Sequence, residues 1–213
     1  MMISKRLRIL SASLFFFLLF ILLSGLVHYD FFRGIDYQSM LFIQKIQSLS
    51  IDYFFSVLTL LGSSEAVFIF VLAVFLIILI SRKRMFLGVF LYILIYPVEL
   101  MGKLSVYHPK PPVFLNRYIF NFHLPSSYFV STNYSYPSGH MARTVFLLVI
   151  AIFIIRSSFR IGFRTKLPLY SALIAYLFMI LISRIYLGEH WFSDCLGALF
   201  LGTSVAFFSL VFW

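Results

Sequence analysis

Residues 172–202 read ALIAYLFMILISRIYLGEHWFSDCLGALFLG, a polar turn set between two apolar runs. The turn, Ser183–Asp194, gathers Arg184, Glu189, His190 and Asp194 in a chain of which only 11% is charged. The flanking runs, about 168–187 and 192–212, approach the ~20 residues needed to cross a bilayer. A charge at the centre of such a span costs roughly 2.5–3.5 kcal/mol on the insertion scale. The turn is therefore expected at a membrane face, with its ionisable groups kept there for a function.

The rest of the chain agrees with a membrane setting. It is 62% hydrophobic and 20% aromatic over 213 residues, more apolar side chain than a soluble domain of that length hides. Further spans are predicted at about 9–27, 64–81, 85–104 and 139–156, which makes six in all. The fold class expected is thus all-α: a polytopic bundle of six transmembrane helices in a single domain, 1–213. The first span follows Lys5, Arg6 and Arg8 but exceeds a signal-peptide core and lacks a small-x-small cleavage site, so it reads as a retained helix. Cys195 is the one cysteine, which excludes a disulfide within the chain and a cysteine zinc site, and reads as a small apolar helix residue.

The net charge of +10 sits in short basic clusters beside apolar runs, a placement that fits topology signals and anionic headgroups rather than nucleic acid. Lys5, Arg6 and Arg8, then Arg82, Lys83 and Arg84, then Arg156, Arg160, Arg164 and Lys166 all fall on one side of a six-span chain. The positive-inside bias makes that side and both termini cytoplasmic in the cell membrane, and turns Ser183–Asp194 outward. Segment 28–63 also faces outward; it carries Asp30, Asp36 and Asp52 with periodic apolar residues such as Met40, Ile43 and Ile46, as in an interfacial helix plus a turn. Loop 105–136 holds Lys110, Arg117, His108 and His123 outside, against the charge bias, and its length in a compact protein points to function.

Three outward segments converge at helix ends: KLSVYHPKP from Lys103, YPSGHMART from Tyr136, and Ser183–Asp194. His190 and Asp194 are spaced i, i+4, and share a helical face if the last span begins near His190. Asp194 then takes the imidazole Nδ1–H and leaves Nε2 as a nucleophile, while His140 serves as the acid for a leaving oxygen. Ser138 and Gly139 open a helix whose free N–H groups make an anion site, and Lys103, Lys110 and Arg184 add positive charge. Together they describe a phosphate pocket suited to transfer through a phosphohistidine, with no metal or other cofactor required. Taken alone, His190 with Asp194 also fits a structural hydrogen bond or, with Glu189, part of a metal site.

The pattern resembles the type 2 phosphatidic acid phosphatases (PAP2), relatives of vanadium haloperoxidases and bacterial acid phosphatases. Their signature is K-x6-R-P, P-S-G-H and S-R-x5-H-x3-D. This chain supplies Lys103-x6-Lys110-Pro111, Pro137-Ser138-Gly139-His140 and Ser183-Arg184-x5-His190-x3-Asp194. The resemblance implies His190 as nucleophile, Asp194 as its orienter, His140 as general acid, and Lys103, Ser138, Gly139 and Arg184 as phosphate ligands. The departure is Lys110, where the family has arginine; lysine keeps the charge but loses the planar fork.

Arg143, one turn past His140, opposes the dipole of its helix and so needs an anionic partner. Glu99 and Glu189 are the plain partners; the sharper expectation is a substrate contact that offsets the missing arginine. Glu99 and Lys103 form an i, i+4 pair. His108, His123, His28, Tyr107, Tyr134 and Tyr136 read as interfacial residues. The expected activity is hydrolysis of a lipid phosphate or diphosphate at the outer membrane face, the lipid and the bilayer being the partners. A lipid phosphotransferase and a non-catalytic lipid-binding or transport protein are the rivals.

Overall fold

The computed structural model describes residues 2–81, 86–119, 132–158 and 162–213. Arg82, Lys83, Arg84, His123 and Arg160 lie outside the described residues. Uninterrupted apolar sequence makes the first helix, α1, Met2–His28. It is followed by α2, Arg33–Gln44, whose Asp36, Met40 and Gln44 at i, i+4 and i+8 form one buried stripe. Gln44 ends that stripe by donating to the carbonyls of Leu115 and Tyr186, both at 2.8 Å, which ties α2 across the top of the bundle.

Segment 28–63 holds more helix than an interfacial element and a turn. α3, Leu49–Leu58, continues as a 3-10 turn, Thr59–Gly62, and meets α4, Ser64–Ser81, at a bend of 42°. The apolar run of Leu49, Ile51, Phe54, Phe55 and Leu58 extends the second span backward, and Ser63 breaks it: its Oγ accepts from Ala66 N at 3.2 Å and starts a new helix. The third span is also irregular. It runs as α5, Phe86–Phe90, a 3-10 turn, Leu91–Leu94, and α6, Ile95–Ser105. Pro97 has no N–H for the carbonyl of Ile93, and the 3-10 turn falls at that point.

Three regular helices complete the chain: α7, Gly139–Ser157, α8, Phe163–Tyr186, and α9, Phe192–Leu210. α8 begins five residues before Pro168, so Arg164 and Lys166 lie in its first turns rather than in a loop. Among the described residues five helices are long and apolar enough to cross a membrane, and six if the bent α3–α4 pair is one span. α9 is the most buried of them and packs chiefly on α1 and α7. Small residues let it approach: Ser13 Oγ donates to Ser204 O and Ser204 Oγ to Ser13 O, each at 2.9 Å. The start of α7, the start of α9 and the ends of α6 and α8 meet at one end of the bundle.

Candidate active site

Asp194 fixes the local geometry. α9 starts at Phe192, so His190 precedes the helix instead of sharing its face. The i, i+4 contact forms nonetheless, because Asp194 works as a capping group in the first turn. Its Oδ2 accepts from Trp191 N at 2.9 Å and lies 3.1 Å from His190 Nδ1. Gly188 makes the preceding turn: its φ is +71°, and a Cβ there would strike the Leu115 carbonyl. With Nδ1 engaged, the tautomer assigned to His190 carries the proton there and leaves Nε2 bare. Burial first, then Arg184, Lys103, Lys110 and Arg143, hold the His190 pKa well below 6.5, so the ring is neutral at neutral pH.

His190 opens on a pocket of about 350 Å³ whose wall includes Lys103, Lys110, Asn116, Tyr134 and Glu189. Burial and Lys103 together lower the Lys110 pKa, as expected for two ammonium groups facing one cavity. Ser138, Gly139, His140, Arg184 and Asp194 do not line that pocket; all but the half-buried His140 are buried. Ser138 caps α7 with extended backbone and makes no side-chain cap bond; its N–H donates to Asp194 O at 3.2 Å, which joins the second and third motifs directly. The first N–H groups of α7 therefore lie next to the His190–Asp194 turn. His140 packs on the α3–α4 bend, 3.3 Å from the position a Gly62 Cβ would take, and is in electrostatic reach of Arg184, Arg143, His190 and Lys103.

Arg184 is 1% exposed at the end of α8. Its Nη1 donates to Thr59 Oγ1 at 2.5 Å and to Tyr118 OH at 3.3 Å, and its Nη2 pairs with Glu189. Its Nε is buried with no hydrogen-bond partner among the described residues. Glu189 thereby finds its place as the counter-ion of Arg184 and not of Arg143. Among the described residues no group of three His, Cys, Asp or Glu side chains has the arrangement of a metal site.

Arg143 takes the plainer of its expected partners. Its Nη1 lies 2.8 Å from Glu99 Oε2, its guanidinium covers the Tyr96 ring at 5.4 Å, and it is 2% exposed. Like Ser138, His140 and Arg184, it is not part of the pocket wall. Glu99 also takes Lys103 Nζ at 2.7 Å on its other oxygen. A Cβ at Gly139 would overlap the Glu99 carboxylate, so a larger residue there would displace it from Arg143 and Lys103.

Two residues expected at the interface are buried instead. Tyr136 is fully enclosed: its ring stacks on Phe20 and its hydroxyl receives a hydrogen bond from Ser24 at 3.1 Å. His108 is 5% exposed and lies 3.2 Å from Ser193 Oγ and 3.5 Å from Asp194 Oδ1. His28 keeps its place at the end of α1, where Nδ1 accepts from Tyr107 N at 3.0 Å, and the Tyr107 ring meets that of Tyr134. Thr59, Tyr118, Asp36 and Ser193 also join the site. No local spacing marked them, although Ser193 stands next to Asp194.

Comparison with known proteins accords with this arrangement. The PAP2 superfamily profile matches residues 89–213, which contain all three motif segments. The fold matches a transmembrane PAP2 type phosphatidylglycerolphosphate phosphatase from Bacillus subtilis, with 18% identity, a TM-score of 0.72, and coverage of 93% of this chain and 94% of that one. It also matches Aquifex aeolicus LpxE, with 22% identity, a TM-score of 0.57, and coverage of 83% and 94%. Comparison with curated protein sequences finds no significant match. The likeness extends over the helical bundle as well as the motifs, and the chain is an integral multi-pass membrane protein that belongs to the PAP2 superfamily.

Proposed function

We propose that this protein hydrolyses a lipid phosphate or diphosphate at the extracytoplasmic face of the membrane. The observation that carries the reading is the His190–Asp194 contact at the mouth of a pocket walled by Lys103 and Lys110. His190 Nε2 attacks the terminal phosphorus, the bond from it to the ester oxygen of a monophosphate or the bridging oxygen of a diphosphate breaks, and that oxygen keeps the electron pair and takes a proton from His140. Water then attacks the phosphohistidine and gives a proton to His140. The P–N bond breaks, its electron pair returns to His190, and inorganic phosphate leaves. Lys103, Lys110, Arg184 and the first N–H groups of α7 oppose the charge gathered on the phosphoryl oxygens.

The membrane setting supports a lipid substrate. An apolar groove of about 740 Å³ between α4 and the α5–α6 segment is lined by Phe68, Val71, Leu72, Phe75, Val89 and Tyr96. Its Tyr96 end touches Arg143, so an acyl or prenyl tail lying there keeps its headgroup near the site. The basic residues Lys5, Arg6, Arg8, Arg156, Arg164 and Lys166 occupy helix ends away from the site, which supports the outward orientation. The Bacillus subtilis relative acts on phosphatidylglycerolphosphate, which makes that lipid the first substrate to test.

The test is phosphate release from micelles of phosphatidylglycerolphosphate, phosphatidic acid, undecaprenyl diphosphate or lipid A, with and without chelator. Wild type is expected to act on at least one of them in both conditions, and His190→Ala on none. Undiminished release by His190→Ala overturns the nucleophile, loss with chelator overturns the metal-free chemistry, and transfer of label to an acceptor lipid rather than to water makes the protein a phosphotransferase.

A further inference from the structure

Behind Asp194 lies a second polar chain, built from three segments far apart in sequence. Asp36 in the first turn of α2 is 1% exposed, and Ser193 at the start of α9 is fully buried. Asp36 Oδ1 accepts from Ser193 N at 2.8 Å and Oδ2 from Ser193 Oγ at 2.7 Å. Burial pushes the Asp36 carboxyl up, and the two Ser193 donors oppose that push. A carboxylate only accepts, so the Ser193 hydroxyl hydrogen is committed to Asp36 and its lone pairs face His108 Nε2 at 3.2 Å. His108 therefore presents an Nε2–H, and the same group lies 3.5 Å from Asp194 Oδ1.

The His108 ring is held from its backbone as well. Its carbonyl accepts from Ser135 N at 3.0 Å, and the next carbonyl, of Pro109, takes the Trp191 indole N–H at 2.7 Å. Asp194 thus has Oδ2 on Trp191 N and His190 Nδ1, while its buried Oδ1 makes no hydrogen bond among the described residues and faces His108 Nε2 at 3.5 Å. A carboxylate hydrogen-bonded at one oxygen can swing about its Cβ–Cγ bond, and the pull of the His108 N–H dipole on the other oxygen opposes that swing.

We infer that His108, oriented by Ser193 and Asp36, is a positioning residue that fixes the Asp194 carboxylate, and through it the angle at which His190 Nε2 meets phosphorus. The inference rests on the proposed role of His190. His108 touches no reacting atom; it acts through Asp194, so its loss slows the chemistry and leaves lipid binding alone.

The test compares His108→Leu, His108→Gln and Asp36→Asn with wild type and His190→Ala, all as full-length protein in micelles of the lipid that wild type hydrolyses fastest. His108→Leu is expected to lower kcat by roughly ten- to a hundredfold, as loss of other outer-shell partners does, with KM within about twofold. His108→Gln keeps an amide N–H near the Nε2 position and restores most of kcat. Asp36→Asn frees the Ser193 hydroxyl and lowers kcat in the same sense, and it decides the matter if His108→Leu fails to fold. A kcat for His108→Leu within about twofold of wild type, or equal losses for the Leu and Gln variants, overturns the positioning role. Wild type that releases no phosphate, or active His190→Ala, overturns the functional reading on which the role rests. A cycle of melting midpoints between His108→Leu and Asp194→Asn reads the contact without activity: it is expected to be non-additive, and additivity overturns the contact.

Discussion

Arg143 Nη1 and Glu99 Oε2 lie 2.8 Å apart between α7 and α6, and the other oxygen of the same carboxylate holds Lys103 at 2.7 Å. Glu99 thus shares one negative charge between a buried guanidinium and an ammonium in the pocket wall. If Arg143 is removed, the whole charge falls to Lys103, which is then less available to a phosphate. Arg143→Met is expected to raise KM for the lipid severalfold and to destabilise the protein by about 3–5 kcal/mol, the cost of orphaning one member of a buried pair. Arg143→Met with Glu99→Gln restores most of that stability. Melting in detergent together with a KM series checks both, and equal midpoints for the single and double variants would show that the pair is not coupled.

Arg184 and Glu189 form a comparable pair nearer the surface, with Glu189 30% exposed on its side chain. An incoming phosphate has to compete with that carboxylate for Arg184. Glu189→Gln removes the competitor without changing shape. Inhibition by inorganic phosphate should strengthen by about two- to fivefold, the effect of a part-exposed ion pair worth up to ~1 kcal/mol. An unchanged or weakened inhibition constant would assign Glu189 another role.

The pH dependence follows from the cations around His190. Its pKa lies well below 6.5, through burial and then the charges of Arg184, Lys103, Lys110 and Arg143. A protonated ring cannot attack, so the acid limb of kcat/KM is expected on the low side of 6.5. Deleting one positive charge lightens the penalty on the protonated form, so Lys110→Gln raises the His190 pKa and moves the acid limb to higher pH. The ionisation of the lipid phosphate is common to both enzymes and cancels in the difference. A limb that stays fixed or moves to lower pH contradicts the electrostatic account.

What the sequence disclosed depended on how far apart the interacting groups stand. The spans follow from local hydropathy, and the residues of each motif segment sit within about ten positions of one another, so both could be read directly. The pairing of Arg143 could not be chosen from the sequence, because Glu99 and Glu189 were equally plausible until the packing of α6 on α7 placed one of them. His108, Asp36 and Ser193 form a cluster whose hydrogen bonds join residues 85 and 157 positions apart, and a histidine in a tyrosine-rich loop looks interfacial until that loop folds inward. Tyr136 differs from its expected interfacial place for the same reason: its hydroxyl suits an interface, yet Ser24 satisfies it inside the bundle. The last span starts at Phe192, as its hydropathy predicts, and Asp194 caps it there, so His190 meets Asp194 from the turn and not from a shared helical face.

Reciprocal hydrogen bonds between Ser13 and Ser204 join α1 to α9, each hydroxyl donating to the other residue's carbonyl at 2.9 Å. α1 is the least buried of the five long spans, and the Phe16–Phe207 stack and the Ser24–Tyr136 hydrogen bond join this contact in holding it. Interhelical bonds of this kind average about 0.6 kcal/mol and reach about 1.7 kcal/mol in membrane proteins, partly because the separated helices find other partners. Ser13→Ala and Ser204→Ala are each expected to lower stability within that range, and the double variant to lose about the sum, since each change breaks a separate donation to a backbone carbonyl that the other leaves in place. Replacing Ser204 by leucine adds bulk at a close helix contact and should cost more than alanine does, by overpacking. The order of effects is wild type, then alanine, then leucine in reversible unfolding from micelles, with phosphate release unchanged in the alanine variants because neither serine approaches the site. A leucine variant as stable as wild type would show that α1 can move away from α9 without loss, and that these two bonds do not hold it.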